Sequence, residues 1–350
     1  MPLLPDPVRR VAAWCVVLLL VAGVGWVGVR LCAEFRTAVV PVLLALLGTA
    51  LLGPLHRRMV AAGMHRSLAA GLTCVAVVAV VGGAVYIVVA ALIDTGDQII
   101  ASLRAAARSV AQHFGAAGTG LDDLAANART LLGRFGGTAA SNVISGVSVV
   151  GESIAMAVLA LLLVFFFLRD SHRAVETLRT VAPGNTADTL EAMARRAYEA
   201  VEGFMRGTTL IALIDATCIG IGLLILRVPG AVGLAALVFI TAYIPYLGAF
   251  LSGSVAVLVA LADRGFVIAL WALGVVIGVQ VLEGHVLQPV IQSRTVQMHP
   301  AAVMLAITAG ASVAGILGML LSVPLIAAAF GVVQELRVRY GTAAPEPSDS

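Results

Sequence analysis

What this 350-residue chain has little of is charge: 12% of its residues are ionisable at neutral pH, where a soluble domain carries about 25%. It has no lysine, and all 22 basic residues are arginine. The net charge of +3 is small. The arginines form no phosphate-binding stripe, which argues against a nucleic-acid partner. Cysteine is scarce too: Cys15, Cys32, Cys74 and Cys218, with no C-x-x-C pair. They read as small hydrophobes packed among helices, not as metal ligands or disulfide partners. G-x-S-x-G, H-E-x-x-H and the P-loop are absent. The chain therefore reads as a non-enzyme with no ATP-driven step, and neither a cofactor nor a metal is expected.

What is abundant is apolar sequence: 60% of the residues, with a mean hydropathy of +1.03. A bilayer-spanning helix needs about 20 predominantly apolar residues. The expected fold is all-α, a polytopic helical membrane protein with about seven to eight transmembrane helices, some interrupted, plus amphipathic surface helices. Its first partner is the lipid bilayer. Arg9 and Arg10 precede an apolar run from Val11 to Val29. That run exceeds the apolar core of a signal peptide and reads as an uncleaved first span. The next spans are Ala38–Leu55 and Leu68–Ile93. A mixed segment, Asp94 to Asn142, reads as amphipathic helices lying on the membrane or capping the bundle. The fourth span is Val143–Leu168. A polar helical connection, Arg169 to Gly207, carries Glu191, Arg195 and Glu199 at i, i+4 spacing. The fifth span is Thr208–Leu226. The chain divides into a three-span segment (1–93), an extracytoplasmic amphipathic segment (94–142), a transmembrane core (143–338) and a Pro/Ser/Ala-rich disordered tail (339–350).

Two apolar stretches are too long for one upright helix. Ala231 to Ala262 holds Ile244-Pro245-Tyr246-Leu247-Gly248 in its middle. Proline removes a donor and clashes with the preceding turn, so two helices or a re-entrant hairpin are expected, with Pro245 to Gly248 at the bend. Ala301 to Val333 is interrupted by Gly315, Gly318 and Pro324. Between them, Phe266–Leu282 reads as a span and Glu283–His299 as a short polar connection. With a cytoplasmic N-terminus and about eight crossings, cytoplasmic segments hold 14 arginines against 8 outside. Both termini are then expected in the cytoplasm.

Three groups of residues stand out. Asp215 lies inside the fifth span, and a carboxylate at the bilayer centre costs at least about 2.5 kcal/mol. Thr208, Ala212, Asp215 and Gly222 form a small or polar stripe suited to a buried face. Asp215 reads as an ion- or proton-coupling carboxylate or a polar anchor for substrate; the bland alternative is a structural carboxylate bonded to a neighbouring helix or an arginine. The second group is the bend at Tyr243, Pro245, Tyr246 and Gly248. An interrupted helix frees backbone groups that protein, water or ligand must satisfy. A kink that only shapes the bundle is the alternative. The third is Gln280, Glu283, His285, Gln288 and Pro289, with His299-Pro300 beyond. Glu283 and His285 suit a proton relay; the alternative is an interfacial loop. Gly274 and Gly278 make a G-x-x-x-G face for packing or homo-oligomer contact.

These residues also carry a resemblance. Leu52-Gly53-Pro54-Leu55 with Arg57-Arg58, Gly63 and Arg66 looks like the hairpin between second and third spans of the autoinducer-2 exporter family. Ile244-Pro245-Tyr246-Leu247-Gly248 looks like its Ile-Pro-aromatic-x-Gly bend. Glu283-Gly284-His285-Val286-Leu287-Gln288-Pro289 with His299-Pro300 looks like its Glu…Pro…His-Pro signature. Gly310, Gly315, Gly318 and Val323-Pro324 look like its closing glycine-rich span. The match covers most of the chain and is densest from Arg206 to Ala328; the missing lysines and His65-Arg66 depart from the family in detail. The resemblance implies a permease with a long extracytoplasmic segment after the third span, exporting a small polar solute such as autoinducer-2. Some similar proteins are described as sodium/proton antiporters. Three readings follow: a gradient-driven exporter of a small polar solute with a coupling cation, a sodium/proton antiporter using Asp215 and Glu283, and a non-transporting membrane scaffold.

Overall fold

The computed structural model describes residues 30–114, 143–171, 185–244, 247–292 and 300–340, with isolated helical positions between 15 and 28 and between 171 and 180. Most of the expected first span, residues 115–142, Pro245, Tyr246, His299 and the tail from 341 to 350 lie outside the described residues. Among the described residues every regular element is a helix. Five helices are long and apolar enough to cross a bilayer, and Ile154–Arg169 and Ala231–Thr241 are shorter apolar helices. The chain is a polytopic helical membrane protein.

Helix α1 (Arg36–Ala61) turns back through Gly63, whose φ of 93° suits glycine, into α2 (Arg66–Phe114). At 49 residues, α2 is about 74 Å long. The expected third span and the start of the mixed segment are thus one continuous helix. The reason lies in the sequence: after Gly96, residues 97–114 are alanine-rich and hold neither glycine nor proline. Helix α3 (Val143–Arg169) ends where Arg169 pairs with Asp170 at 3.0 Å and lies over the Phe165 and Phe166 rings.

Helix α4 (Asn185–Ile225) merges the expected polar connection with the fifth span. The expected charge ladder is re-paired. Glu199 takes Arg196 at 3.2 Å rather than Arg195. Glu191 takes Arg179, whose Nε and Nη2 both donate to Oε2 at 3.0 and 2.8 Å. That hydrogen bond, then the charge of Glu191, raises the Arg179 pKa above its ordinary value.

The first over-long stretch is two helices, α5 (Ala231–Thr241) and α6 (Leu247–Arg264), which pack on each other. At 11 residues, α5 reaches only about 16 Å, half a bilayer core. Helix α7 (Phe266–Leu282) matches the expected span. The next segment is not a loop: Glu283–Gln292 continues α7 as a π-helix with Pro289 inside it. The wider π turn leaves room for a residue that removes a backbone donor. The second over-long stretch, α8 (Pro300–Tyr340), breaks at Ala314 and Gly315, where Gly315 has φ 59°. Its arms fold back so closely that a Cβ at Gly310 would overlap the Gly318 carbonyl, and one at Gly318 the Gly310 carbonyl.

Three apolar clusters hold the bundle. One joins α4 (Ile219, Leu223), α5 (Leu234, Val238), α6 (Val259) and α7 (Ala272, Val279). A second joins α1, α2 and α3 through Ala45, Ala70, Cys74, Val164 and Leu168. The third joins Val40 and Leu47 of α1, Met205 of α4, Tyr243 and Leu321 of α8. The second arm of α8 runs along the polar half of α4: Gly331 abuts the Arg196 backbone, and Arg339 donates to Thr189 at 2.7 Å. Large apolar side chains such as Tyr86, Ile225 and Trp271 point outward, which suits hydrocarbon rather than water as the solvent.

Candidate functional site

Helix α4 positions most of the site. Its face of Ile211, Ala212, Asp215 and Ile219 is buried, because these residues recur at helical spacing and the neighbouring helices are apolar. Asp215 is 3% exposed. Its neighbouring charge is the Glu283 carboxyl at the junction of α7 and the π-helix, close enough for the two carboxyls to interact. Among the described residues, Oδ1 of Asp215 has no hydrogen-bond partner, and neither has Oγ1 of Thr208, two turns away on the same helix. Helix packing here is tight: a Cβ at Gly222 would lie 2.5 Å from Val275.

A hydrogen bond between two carboxyl groups needs a proton on one of them, since an ionised carboxylate only accepts. Without that proton, two negative charges would face each other in a poorly solvated interior. A cation would then have to offset them. The pair can therefore hold a proton or a cation, and the orphaned Oδ1 offers a further acceptor.

Tyr243, at the bend between α5 and α6, shares a 2.9 Å hydrogen bond with Thr209 on α4. The bend closes tightly: Gly248 donates its N–H to the Ile244 carbonyl at 2.9 Å, and a Cβ there would overlap the Thr241 carbonyl. Ser252 Oγ donates to the Gly248 carbonyl at 2.8 Å. The bend thus satisfies several of its own polar groups and spends its tyrosine hydroxyl on α4.

The third expected group is only partly assembled. Gln288 donates to Glu283 Oε1 at 3.2 Å. His285 is exposed, and its ring Nδ1 bonds the Val281 carbonyl of its own helix at 3.0 Å. Gln280 is half-buried and Pro289 exposed. Pro245 and Tyr246 lie outside the described residues, and a Cβ at Gly274 or Gly278 would meet nothing within 4 Å. Among the described residues no cluster of three or more His, Cys, Asp or Glu suits a metal. Sequence reasoning missed Thr209, whose neighbour Thr208 was the expected residue, because register alone does not say which hydroxyl meets the bend. It also missed Glu202, whose only signal was Arg206 four residues on.

Long apolar helices packed around a buried Asp215 and a half-buried Glu283 define the class as a polytopic membrane protein. The comparisons make it more particular. The family model for the AI-2E family transporter matches residues 13–337. The chain is similar to MT0215 of Mycobacterium tuberculosis, 35% identical over 338 residues, covering 94% of this chain and 91% of that one. It is also similar to two Bacillus subtilis proteins. YrrI is 31% identical over 190 residues, 54% of this chain and 53% of its own. YueF is 33% identical over 165 residues, 47% and 44%. All three are named for an inferred role in transport. The chain belongs to the AI-2E transporter family.

Proposed function

We propose that this protein is a gradient-driven exporter of a small polar solute, of the autoinducer-2 type, in a bacterial plasma membrane with both termini cytoplasmic. Asp215 and Glu283 form its coupling site. Thr208, Tyr243, Gly248 and the Pro245–Tyr246 bend line the solute path, with Gln280, Gln288, Pro289 and His285 towards its end. The observation that carries this reading is a buried carboxyl with an unpartnered oxygen set against a second carboxyl. Such an arrangement stabilises nothing by itself, because an unsatisfied buried acceptor costs about 1–3 kcal/mol. It suits a group that takes up a passing ligand.

The test is flux in reconstituted vesicles against a panel of small polar solutes. The proposal expects one class of solute to move faster than in protein-free vesicles, driven by an imposed pH or cation gradient. If no solute moves, the proposal fails. The same carboxyl pair supports a second reading, sodium/proton antiport, because two carboxylates can exchange one proton for one cation. An imposed sodium gradient that moves protons with no solute present, and stops doing so in Asp215→Asn, favours that reading.

A further inference from the structure

Four residues on one face of α4, Tyr198, Glu202, Met205 and Thr209, follow helical spacing and meet α1 or the bend. The Tyr198 hydroxyl donates to the Thr49 carbonyl of α1 at 3.1 Å. Glu202, 13% exposed, accepts from Arg57 of α1 at 2.7 Å and pairs with Arg206 at 3.2 Å, both through Oε1. The Arg57 guanidinium and the Tyr198 hydroxyl both lie over Gly53. Met205 packs with Val40 and Leu47 of α1, and Thr209 bonds Tyr243. Gly53 makes the approach possible, since a Cβ there would lie 3.0 Å from the Tyr198 hydroxyl.

The seam between α1 and α4 is therefore closed differently along its length. At the polar end of α4 it is closed by the Glu202 carboxylate, the Arg57 guanidinium and the Tyr198 hydroxyl, with Arg206 holding Glu202 from its own helix. Further in, it is closed by Met205, Val40 and Leu47. Arg57 and Arg206 are 56% and 52% exposed, so water can replace their contacts readily. An apolar seam has no such substitute.

We infer that Arg57 and Glu202, supported by Arg206 and Tyr198, form a latch that closes the α1–α4 seam over the Thr209–Tyr243 contact and opens in each transport cycle. The inference rests on the transport reading for its purpose, not for its geometry. Arg57 joins α1 to α4 across 145 residues of sequence, whereas Arg206 is on the same helix as Glu202. Breaking the first opens the seam, and breaking the second leaves it shut.

The experiment places a single cysteine at Thr209, with the native cysteines replaced, in reconstituted vesicles. A membrane-impermeant maleimide is added on the side of the Glu202 cluster. Glu202→Gln and Arg57→Gln are expected to speed labelling about fivefold, as befits one partly exposed ion pair. Arg206→Gln is expected to change it less than about twofold. The exchanged pair, Arg57→Glu with Glu202→Arg, keeps the same three charges and returns labelling towards the parent rate. Equal labelling in all variants overturns the latch. So does a lower melting temperature without faster labelling, the mark of a merely structural pair. Should Glu202→Gln fail to fold, Arg57→Gln and the exchanged pair still decide. Faster labelling in these variants, when the wild-type protein moves no solute, leaves the latch standing and sinks the transport reading instead.

Discussion

The two over-long apolar stretches of this chain are both broken, but for different ends. The break between α5 and α6 sends the Tyr243 hydroxyl to Thr209 on the helix that carries Asp215. The break in α8 brings Gly310 against Gly318, with Ser322 bonding the Gly318 carbonyl of its own arm. Both bends bring backbones close, Gly248 on Thr241 and Gly310 on Gly318; the first also builds a polar contact between helices. A broken membrane helix is thus not by itself a binding site. What separates the cases is whether the break presents a polar side chain to another element.

The largest effect is expected at the packing bend. Gly318→Val places a side chain on the Gly310 backbone, and an overpacked contact of that kind costs about 3 kcal/mol. Thermal melting in detergent checks it, and a wild-type melting curve would break the comparison from that side. Next is Asp215→Asn. Its amide keeps the shape of the carboxyl and donates to Glu283, so folding is retained. On the proposed coupling, coupled flux falls at least about tenfold, because Asn cannot exchange a proton. Tyr243→Phe removes one hydrogen bond, worth about 1 kcal/mol. It is expected to slow flux while leaving the melting temperature within a few degrees. If it instead destabilises as strongly as Gly318→Val, both bends are packing devices. The smallest effect is at Gly274→Ala, where a Cβ meets nothing within 4 Å. It changes stability by less than about 1 kcal/mol, in the stabilising direction, from helix propensity alone. A large loss there, seen together with a change in assembly size, would reveal a second copy on that face.

Much of the fold was legible because it follows from composition and length. Long apolar runs set the spans, and the Phe266–Leu282 helix has the expected bounds. Pro245 and Gly315 mark strained or donor-free backbone, so the breaks were visible as well. Less legible was continuity. Alanine-rich and ion-paired sequence let α2 and α4 run on where polar residues suggested an end. The π-helix at Glu283–Gln292 was read as a connection because a proline and several polar residues usually mark one. At the site, Asp215 was visible from its cost in hydrocarbon, and Glu283 from its place at a helix end. That the two carboxyls come together depends on how α4 crosses α7, which no local pattern records. Likewise Glu202 reads as one exposed charge among several until α1 supplies Arg57.

The central claim is that Asp215 and Glu283 together couple ion movement to solute movement. Proton flux in vesicles holding a trapped pH indicator, measured as a solute gradient is imposed, tests it most directly. On the proposed coupling, protons move with solute in the parent protein, and Asp215→Asn and Glu283→Gln each abolish this movement while the protein stays folded. Proton and solute fluxes unchanged in both variants would contradict it.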